Sequence, residues 1–319
     1  MSTTTAGAPA LGPPAARQRE PVLQVRGLQK RYGDNYAVRG IDLEVLRGEI
    51  FAFLGPNGAG KTTTVEILEG YRSRDAGEVR VLGCDPREAT RQWRSRIGVV
   101  LQTCAVQGEL TVAELLDLYG GYYPAPLGVD QTLALVGLAG QRDRRAGALS
   151  GGQQRRLDVG LALVGDPELL FLDEPTTGFD PSARHHTWEV IAGLRKLGKT
   201  VFLTTHYMDE AQALADRVAV IADGRIVAQG TPEGLGGRDH APTRISFALP
   251  DGVGRPQLEE IAGLPAVLGS GTVELRSREP TRTLARLAGW AAAHDLELCE
   301  LEVSRPSLEE IYLELTEQR

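Results

Sequence analysis

At 319 residues the chain has room for one large domain and one small one, each able to bury its own core. A formal net charge of -7 and an aromatic content of 5% argue against non-specific binding to nucleic acid or anionic lipid, which reward basic surface and stacking platforms. The three cysteines (Cys84, Cys104 and Cys299) are odd in number and far apart, which argues for reduced thiols over a disulfide framework or zinc cluster, and no apolar run approaches the roughly 18 residues of a membrane-spanning helix.

Residues 1–21 are rich in Ala, Thr and Pro. They carry too little apolar surface to offset the entropy of ordering, lack the pattern of a secretory signal, and are expected to form a disordered tail. Order begins with VLQVRGL, whose alternation suggests a half-buried strand, followed by strands at IDLEVL and EIFAFLG. A helix should start near Lys61 and run through TTTVEILEG. Further strands are expected at EVRVLG, IGVVL, LLFLD, TVFLTT and RVAVI, several dense enough in Val, Ile and Leu to be buried on both faces. Helical spacing in TVAELLDLYGGYY and VDQTLALVGL marks a helical insert, placed at about 86–165.

The stretch GLGGRDHAPT reads as a linker, so the large domain should end near 238 and a small α+β domain occupy 239–319. There RISFAL, TVELRS and LELCELEVS read as strands, and RPQLEEIAGL and TRTLARLAGWAAAHD as helices. A last helix opens with a capping box, Ser307 with Glu310, and lines up Leu308, Ile311, Tyr312 and Leu315 on one face.

Three motifs carry chemistry. Gly55-Pro56-Asn57-Gly58-Ala59-Gly60-Lys61-Thr62 satisfies G-x-x-x-x-G-K-[ST] between a strand and a helix, with Thr63 next in line. Glycines let backbone N–H groups curl around phosphates, the helix adds its positive end, Lys61 should reach the β- and γ-phosphates, and Thr62 should coordinate Mg²⁺. The strand LLFLD ends in Asp173 and Glu174. Strand ends line the crevice of a doubly wound sheet, so Asp173 suits Mg²⁺ and Glu174 suits a general base on the attacking water. The third motif is Leu149-Ser150-Gly151-Gly152-Gln153, opening the helix QQRRLDVGLALVG as a second backbone anion site.

LSGGQ, placed between the phosphate loop and the acidic strand, resembles the signature of ABC ATPases, and the resemblance covers about 22–234. It implies an ABC-type P-loop NTPase domain with a helical subdomain, followed by the small α+β domain. It also implies roles that the residues alone do not carry. Tyr32 resembles the aromatic that stacks on adenine, although taken alone it reads as a surface or core tyrosine. Gln102 resembles the glutamine that senses Mg²⁺ and the γ-phosphate and contacts the membrane partner. Asp180 resembles the interface-crossing aspartate, with Phe179 where Leu is commoner, and His206 resembles the histidine on the γ-phosphate. His185 and His186 read as surface residues.

A narrower likeness, in the signature-to-acidic-strand segment and in PSLEEIYLELT, is to the ATPase subunits of actinobacterial multidrug exporters of the daunorubicin-resistance type. It implies ATP and Mg²⁺, a homodimer that sandwiches ATP, a separate permease, no nucleic acid, and a place on the cytoplasmic side of the membrane. The alternative within the same fold is a soluble ATPase acting on ribosomes or chromosomes. Such members carry paired or split cassettes, whereas this chain has one intact cassette and no long heptad run.

Overall fold

The structure is a computed structural model and describes residues 20–101, 108–237, 241–250, 252–269 and 271–317. Of the tail expected over 1–21, residues 1–19 lie outside the described residues, as do Gln102 and Cys104, whereas Pro21 already belongs to the first strand. The chain opens with β1 (Pro21–Tyr32), β2 (Asn35–Leu46), β3 (Ile50–Leu54), α1 (Lys61–Leu68), β4 (Ala76–Val81), α2 (Arg91–Arg94) and β5 (Ile97–Val100). It continues through α3 (Val112–Gly120), α4 (Val129–Leu135), α5 (Gly151–Leu163), β6 (Leu169–Asp173), α6 (Pro181–Lys196), β7 (Thr200–Thr205), α7 (Met208–Leu214), β8 (Arg217–Ala222) and β9 (Arg225–Gly230). The last part holds β10 (Thr243–Ala248), α8 (Arg255–Ala262), β11 (Ala266–Leu268), β12 (Thr272–Ser277), α9 (Pro280–Ala293), β13 (Glu302–Ser304) and α10 (Leu308–Glu317).

The central sheet runs β5–β6–β7–β3–β8–β9, parallel except for β9. Strands β3, β6 and β7 are buried along their whole length, as their unbroken apolar runs require of strands covered on both faces. An antiparallel sheet, β2–β1–β4, lies over one side. Between the two sheets, Phe51, Phe171 and Phe202 bury their rings at centroid separations of 5.7 and 5.8 Å. Register decides where function falls. Leu54 is opposite Thr205, and Asp173 is opposite Thr204, so three consecutive strand ends open side by side.

On the other side α3, α4 and α5 pack together over Leu115, Leu116, Leu133, Val136 and Leu157. Strand β5 belongs to the central sheet, because Ile97–Val100 pairs with β6. The helical segment is therefore narrower than the 86–165 expected and spans Val112 to Leu163.

The third sheet, β11–β12–β10–β13, is antiparallel and carries α8 and α9 over a core of Ile245, Phe247, Leu258, Val273, Leu275 and Leu287. The strand expected over LELCELEVS shrinks to Glu302–Ser304, since Glu300 (φ 54°) takes a left-handed backbone that no strand sustains. Helix α10 begins with the expected capping box, in which Glu310 N–H donates to Ser307 Oγ at 3.0 Å and Ser307 N–H to Glu310 Oε2 at 2.7 Å. Its apolar face packs on α7 and β9, while Glu310 accepts from Arg244 of β10 at 3.2 Å. Leu308 (1% exposed) joins the core of the large domain, with Tyr312 packed against it, while the side chain of Leu315 lies outside the described residues.

Candidate active site

Between β3 and α1 the chain must reverse in six residues beneath the neighbouring hairpin. Gly60 makes this possible: its φ is 103°, and a Cβ there would stand 2.3 Å from the Ala37 carbonyl oxygen. The Thr64 hydroxyl donates to Gly60 O at 2.8 Å and fixes the first turn. Lys61 folds back under the loop, its Nζ donating to Gly55 O at 2.7 Å and Pro56 O at 3.3 Å. Only 5% of Lys61 is exposed, and burial lowers the pKa of the ammonium, against the pull of Glu174 and Asp173. Thr62 is exposed, Thr63 half-buried.

The adjacent strand ends supply acids and a histidine. The Thr204 hydroxyl donates to Asp173 Oδ1, which aims the carboxylate at the mouth of the crevice. Glu174 takes φ 45°, a left-handed conformation that a non-glycine residue holds only when its surroundings impose it. They do: its N–H donates to Thr204 at 3.0 and 3.1 Å, and its Oε2 accepts from the Thr177 hydroxyl at 3.1 Å. The other oxygen, Oε1, lies 3.5 Å from Lys61 Nζ and 3.3 Å from His206 Nδ1, the latter without the alignment of a hydrogen bond. Lys61, Asp173, Glu174 and His206 thus converge, as their sequence positions imply.

The signature lies elsewhere on the chain. Ser150 caps α5 in a capping box, Gln153 Oε1 accepting from Ser150 N–H at 3.0 Å, so Gln153 is bound up in shaping the helix start. Together with Gly151, Gly152, Gly178 and Asp180 these residues line a cavity of about 420 Å³ to which no residue of 55–63 contributes. Asp180 caps α6 by accepting from Ala183 N–H at 2.9 Å. Tyr32 ends β1 with its ring 43% exposed and Lys30 and Arg72 over its faces at 5.5 and 5.4 Å. His185 and His186 are exposed, as expected.

Whether this site fits a nucleotide and Mg²⁺ can be judged from its own groups. A buried ammonium beneath a loop of glycine amides offers a cation and N–H donors to phosphates, while Glu174 and Asp173 beside it leave a cation such as Mg²⁺ to balance the remaining charge. The Thr62 hydroxyl and the Asp173 carboxylate are hard oxygen donors of the kind Mg²⁺ takes alongside phosphate oxygens. No cluster of three His, Cys, Asp or Glu among the described residues could hold a metal unaided. The residues fit the group.

One residue is absent from the motif reading. Arg155, buried in α5, donates to the carbonyls of Leu101, Pro175, Asp173 and Glu174, tying the signature helix to the ends of β5 and β6. Its sequence signal is slight: Arg155 and Asp158 stand at i and i+3 in a helix that also carries Gln153, Gln154 and Arg156.

Comparison with known proteins agrees with this geometry. Residues 38–177 match the family described as ABC transporter, and residues 243–307 match the ABC transporter domain-containing protein-like C-terminal domain. The Nod factor export ATP-binding protein I of Burkholderia lata is 38% identical over 301 residues, covering 92% of this chain and 96% of that protein. The daunorubicin resistance ATP-binding protein DrrA3 of Streptomyces coeruleorubidus is 37% identical over 302 residues, covering 92% and 95%. The linearmycin resistance ATP-binding protein LnrL of Bacillus subtilis is 35% identical over 306 residues, covering 92% and 98%. Among solved structures, the ADP conformation of MJ1267, an ATP-binding cassette of an ABC transporter, superposes with a TM-score of 0.59 at 28% identity, over 67% of this chain and 92% of that one. Identity of this extent, running through both the nucleotide-binding part and the C-terminal domain, makes the chain a member of the ABC transporter ATP-binding family, and an ATPase.

Proposed function

We propose that this chain powers an exporter as a homodimer that closes ATP between two copies and drives a separate membrane permease. The observation that carries the reading is the separation of the two anion sites: the phosphate loop and the signature line different surfaces of one chain. A donor set split in this way is completed only by a second copy, whose Ser150 and glycine amides meet the phosphates from the far side.

In this reading Lys61 and the amides of 55–63 bind the β- and γ-phosphates, Tyr32 stacks on adenine, and Thr62, Asp173 and Gln102 hold Mg²⁺. When bound, the metal neutralises charge between the phosphates. Glu174 accepts the proton of the attacking water. His206, 3.3 Å from Glu174, holds that carboxylate in place and reaches the γ-phosphate. Asp180 crosses the dimer interface. Gln102 and the helical segment after it pass closure to the permease.

The relatives named for Nod factor export and for daunorubicin and linearmycin resistance support a drug-like or lipophilic cargo. No helix among the described residues is long and apolar enough to cross a membrane, and the reading places the chain on the cytoplasmic face through its permease. In chain order the nucleotide-binding domain is taken as 22–238 and the accessory domain as 239–319, with α10 of the latter returning to pack on the former. The test is Glu174→Gln with ATP·Mg²⁺ on a sizing column with light scattering: a stable dimer with turnover abolished is expected. A variant that stays monomeric, with ATP bound, would sink the sandwich.

A further inference from the structure

His206 approaches Glu174 without a hydrogen bond between them: its buried Nδ1 has no partner at bonding geometry among the described residues, although Glu174 Oε1 stands 3.3 Å away. The second side-chain torsion of a histidine is broad, so a ring not fixed in this way keeps its tilt only if something packs on it. Tyr207 does so. Its ring centroid lies 4.1 Å from that of the imidazole, with the two planes 40° apart. Over the Tyr207 ring in turn, 4.4 Å from its centroid, lies the guanidinium of Arg184. Arg184 belongs to the first turns of α6; its N–H donates to the Asp180 carbonyl at 3.0 Å, and its Nη1 donates to Asp209 Oδ2 at 3.0 Å. The same two helices are tied again through Glu210. This carboxylate is fully buried in α7 and accepts at Oε1 from the Thr176 hydroxyl at 2.8 Å and from Trp188 Nε1 of α6 at 3.1 Å.

We propose that Tyr207 and Arg184 are positioning residues for His206: the phenol ring sets the tilt of the imidazole, and the guanidinium fastens the phenol to the helix that Asp180 caps. The inference deepens the reading above and rests on it, since it takes His206 as the group that reaches the γ-phosphate. Ring contact suits this task because it limits rotation of the imidazole without occupying its nitrogens, which are left for phosphate and Glu174. A guanidinium over an aromatic face is held by the ring quadrupole, and the Asp209 carboxylate keeps Arg184 from turning away to solvent. The arrangement also gives the second copy a route to the histidine. Arg184 is hydrogen-bonded to the Asp180 carbonyl, so a displacement of Asp180 at the dimer interface reaches His206 through one side chain and one ring.

The test compares Tyr207→Leu, Tyr207→Phe and Arg184→Gln in the full chain, with His206→Ala alongside. Leucine keeps apolar volume and loses the ring, whereas phenylalanine keeps the ring. Tyr207→Leu is expected to lower kcat for ATP about tenfold or more with KM unchanged, and Tyr207→Phe to restore turnover to within about twofold of wild type. Arg184→Gln, which can still hydrogen-bond Asp209 but carries no cation, is expected to lower kcat about two- to fivefold. A spectroscopic signature accompanies the kinetics. The chain has five histidines, so the His206 ring resonance of histidine-labelled protein is assigned by its loss in His206→Ala. It should stand displaced by the neighbouring ring in wild type and Tyr207→Phe, and return toward the position of a free imidazole in Tyr207→Leu.

Wild-type kcat in Tyr207→Leu beside an inactive His206→Ala overturns the proposal and leaves the reading of the histidine intact. Equal damage in Tyr207→Phe and Tyr207→Leu overturns it too, because the ring is then not the agent. If Tyr207→Leu does not fold, Arg184→Gln decides alone, and an unchanged kcat in that variant counts against the stack. Wild-type turnover in His206→Ala sinks the role given to the histidine above, and the positioning residues with it.

Discussion

The Arg155 guanidinium donates to the backbone carbonyl of Asp173 at 2.7 Å, so a side chain of the signature helix holds the strand end that carries Asp173 and leads into Glu174. It also reaches the Glu174 carbonyl, and Glu174 sits at φ 45°. Arg155 touches no reacting atom in this arrangement; it positions those that do. Arg155→Lys keeps the charge but loses the fork that spans several carbonyls. Expected is a fall in kcat of about ten- to a hundredfold with little change in KM for ATP, since misplacement of catalytic groups is felt in the chemical step. A variant with a lower melting temperature but an unchanged kcat would reduce Arg155 to a structural tie.

Lys61→Ala removes the buried ammonium that lies under the phosphate loop and beside Glu174. Expected is loss of ATP binding by at least about a hundredfold, with the fold retained, because the Glu174 carboxylate keeps its Thr177 contact and can draw solvent. Nucleotide binding measured by fluorescence or calorimetry at wild-type affinity would contradict the phosphate-loop assignment.

Glu69 gives a pH prediction whose sign is fixed. Its pKa is raised in the fold to about 8 from an ordinary 4.5, chiefly by burial. Below the ordinary value both folded and unfolded forms hold the proton, and the stability is fully present. As pH rises toward 8 only the unfolded chain releases the proton, so stability is progressively lost. In Glu69→Gln this loss disappears. Measured without nucleotide or Mg²⁺, the variant should gain on wild type between about pH 5 and 8, by up to a few kcal/mol at the upper end. A difference that stays flat across this range would show that Glu69 titrates normally.

Much of the site was legible because its residues carry chemistry in fixed spacing. The glycines and Lys61, the acids that end an apolar strand, and Ser150 with Gln153 three residues on each state a local geometry that the fold then adopts. What stayed hidden depended on tertiary packing. In sequence Glu69 is only one residue of the helix through TTTVEILEG, and the residues of α5 that line a cavity with it come from a distant part of the chain. Strand β9 is not among the expected strands, its apolar run of three being flanked by Arg225 and Gln229, and it forms because β8 offers an open edge. The LELCELEVS strand was overestimated since pattern alone does not reveal the left-handed Glu300. The assignment of α10 to the accessory domain followed chain order, whereas its apolar face is satisfied by α7 and β9.

That misplaced helix supports the last prediction. Leu308 is 1% exposed and belongs to the core that also contains Leu214 and Leu235, not to the core under α8 and α9. Leu308→Ala removes a branched side chain from a filled site, with a loss of about 2–4 kcal/mol in the transition that unfolds the nucleotide-binding domain. Ser307→Ala deletes only the cap and should lose about 1 kcal/mol. Because the β10–β13 sheet has its own core, calorimetry on Leu308→Ala should show the nucleotide-domain transition lowered and that of the small domain unmoved. A shift confined to the small domain would mean that α10 belongs there in solution.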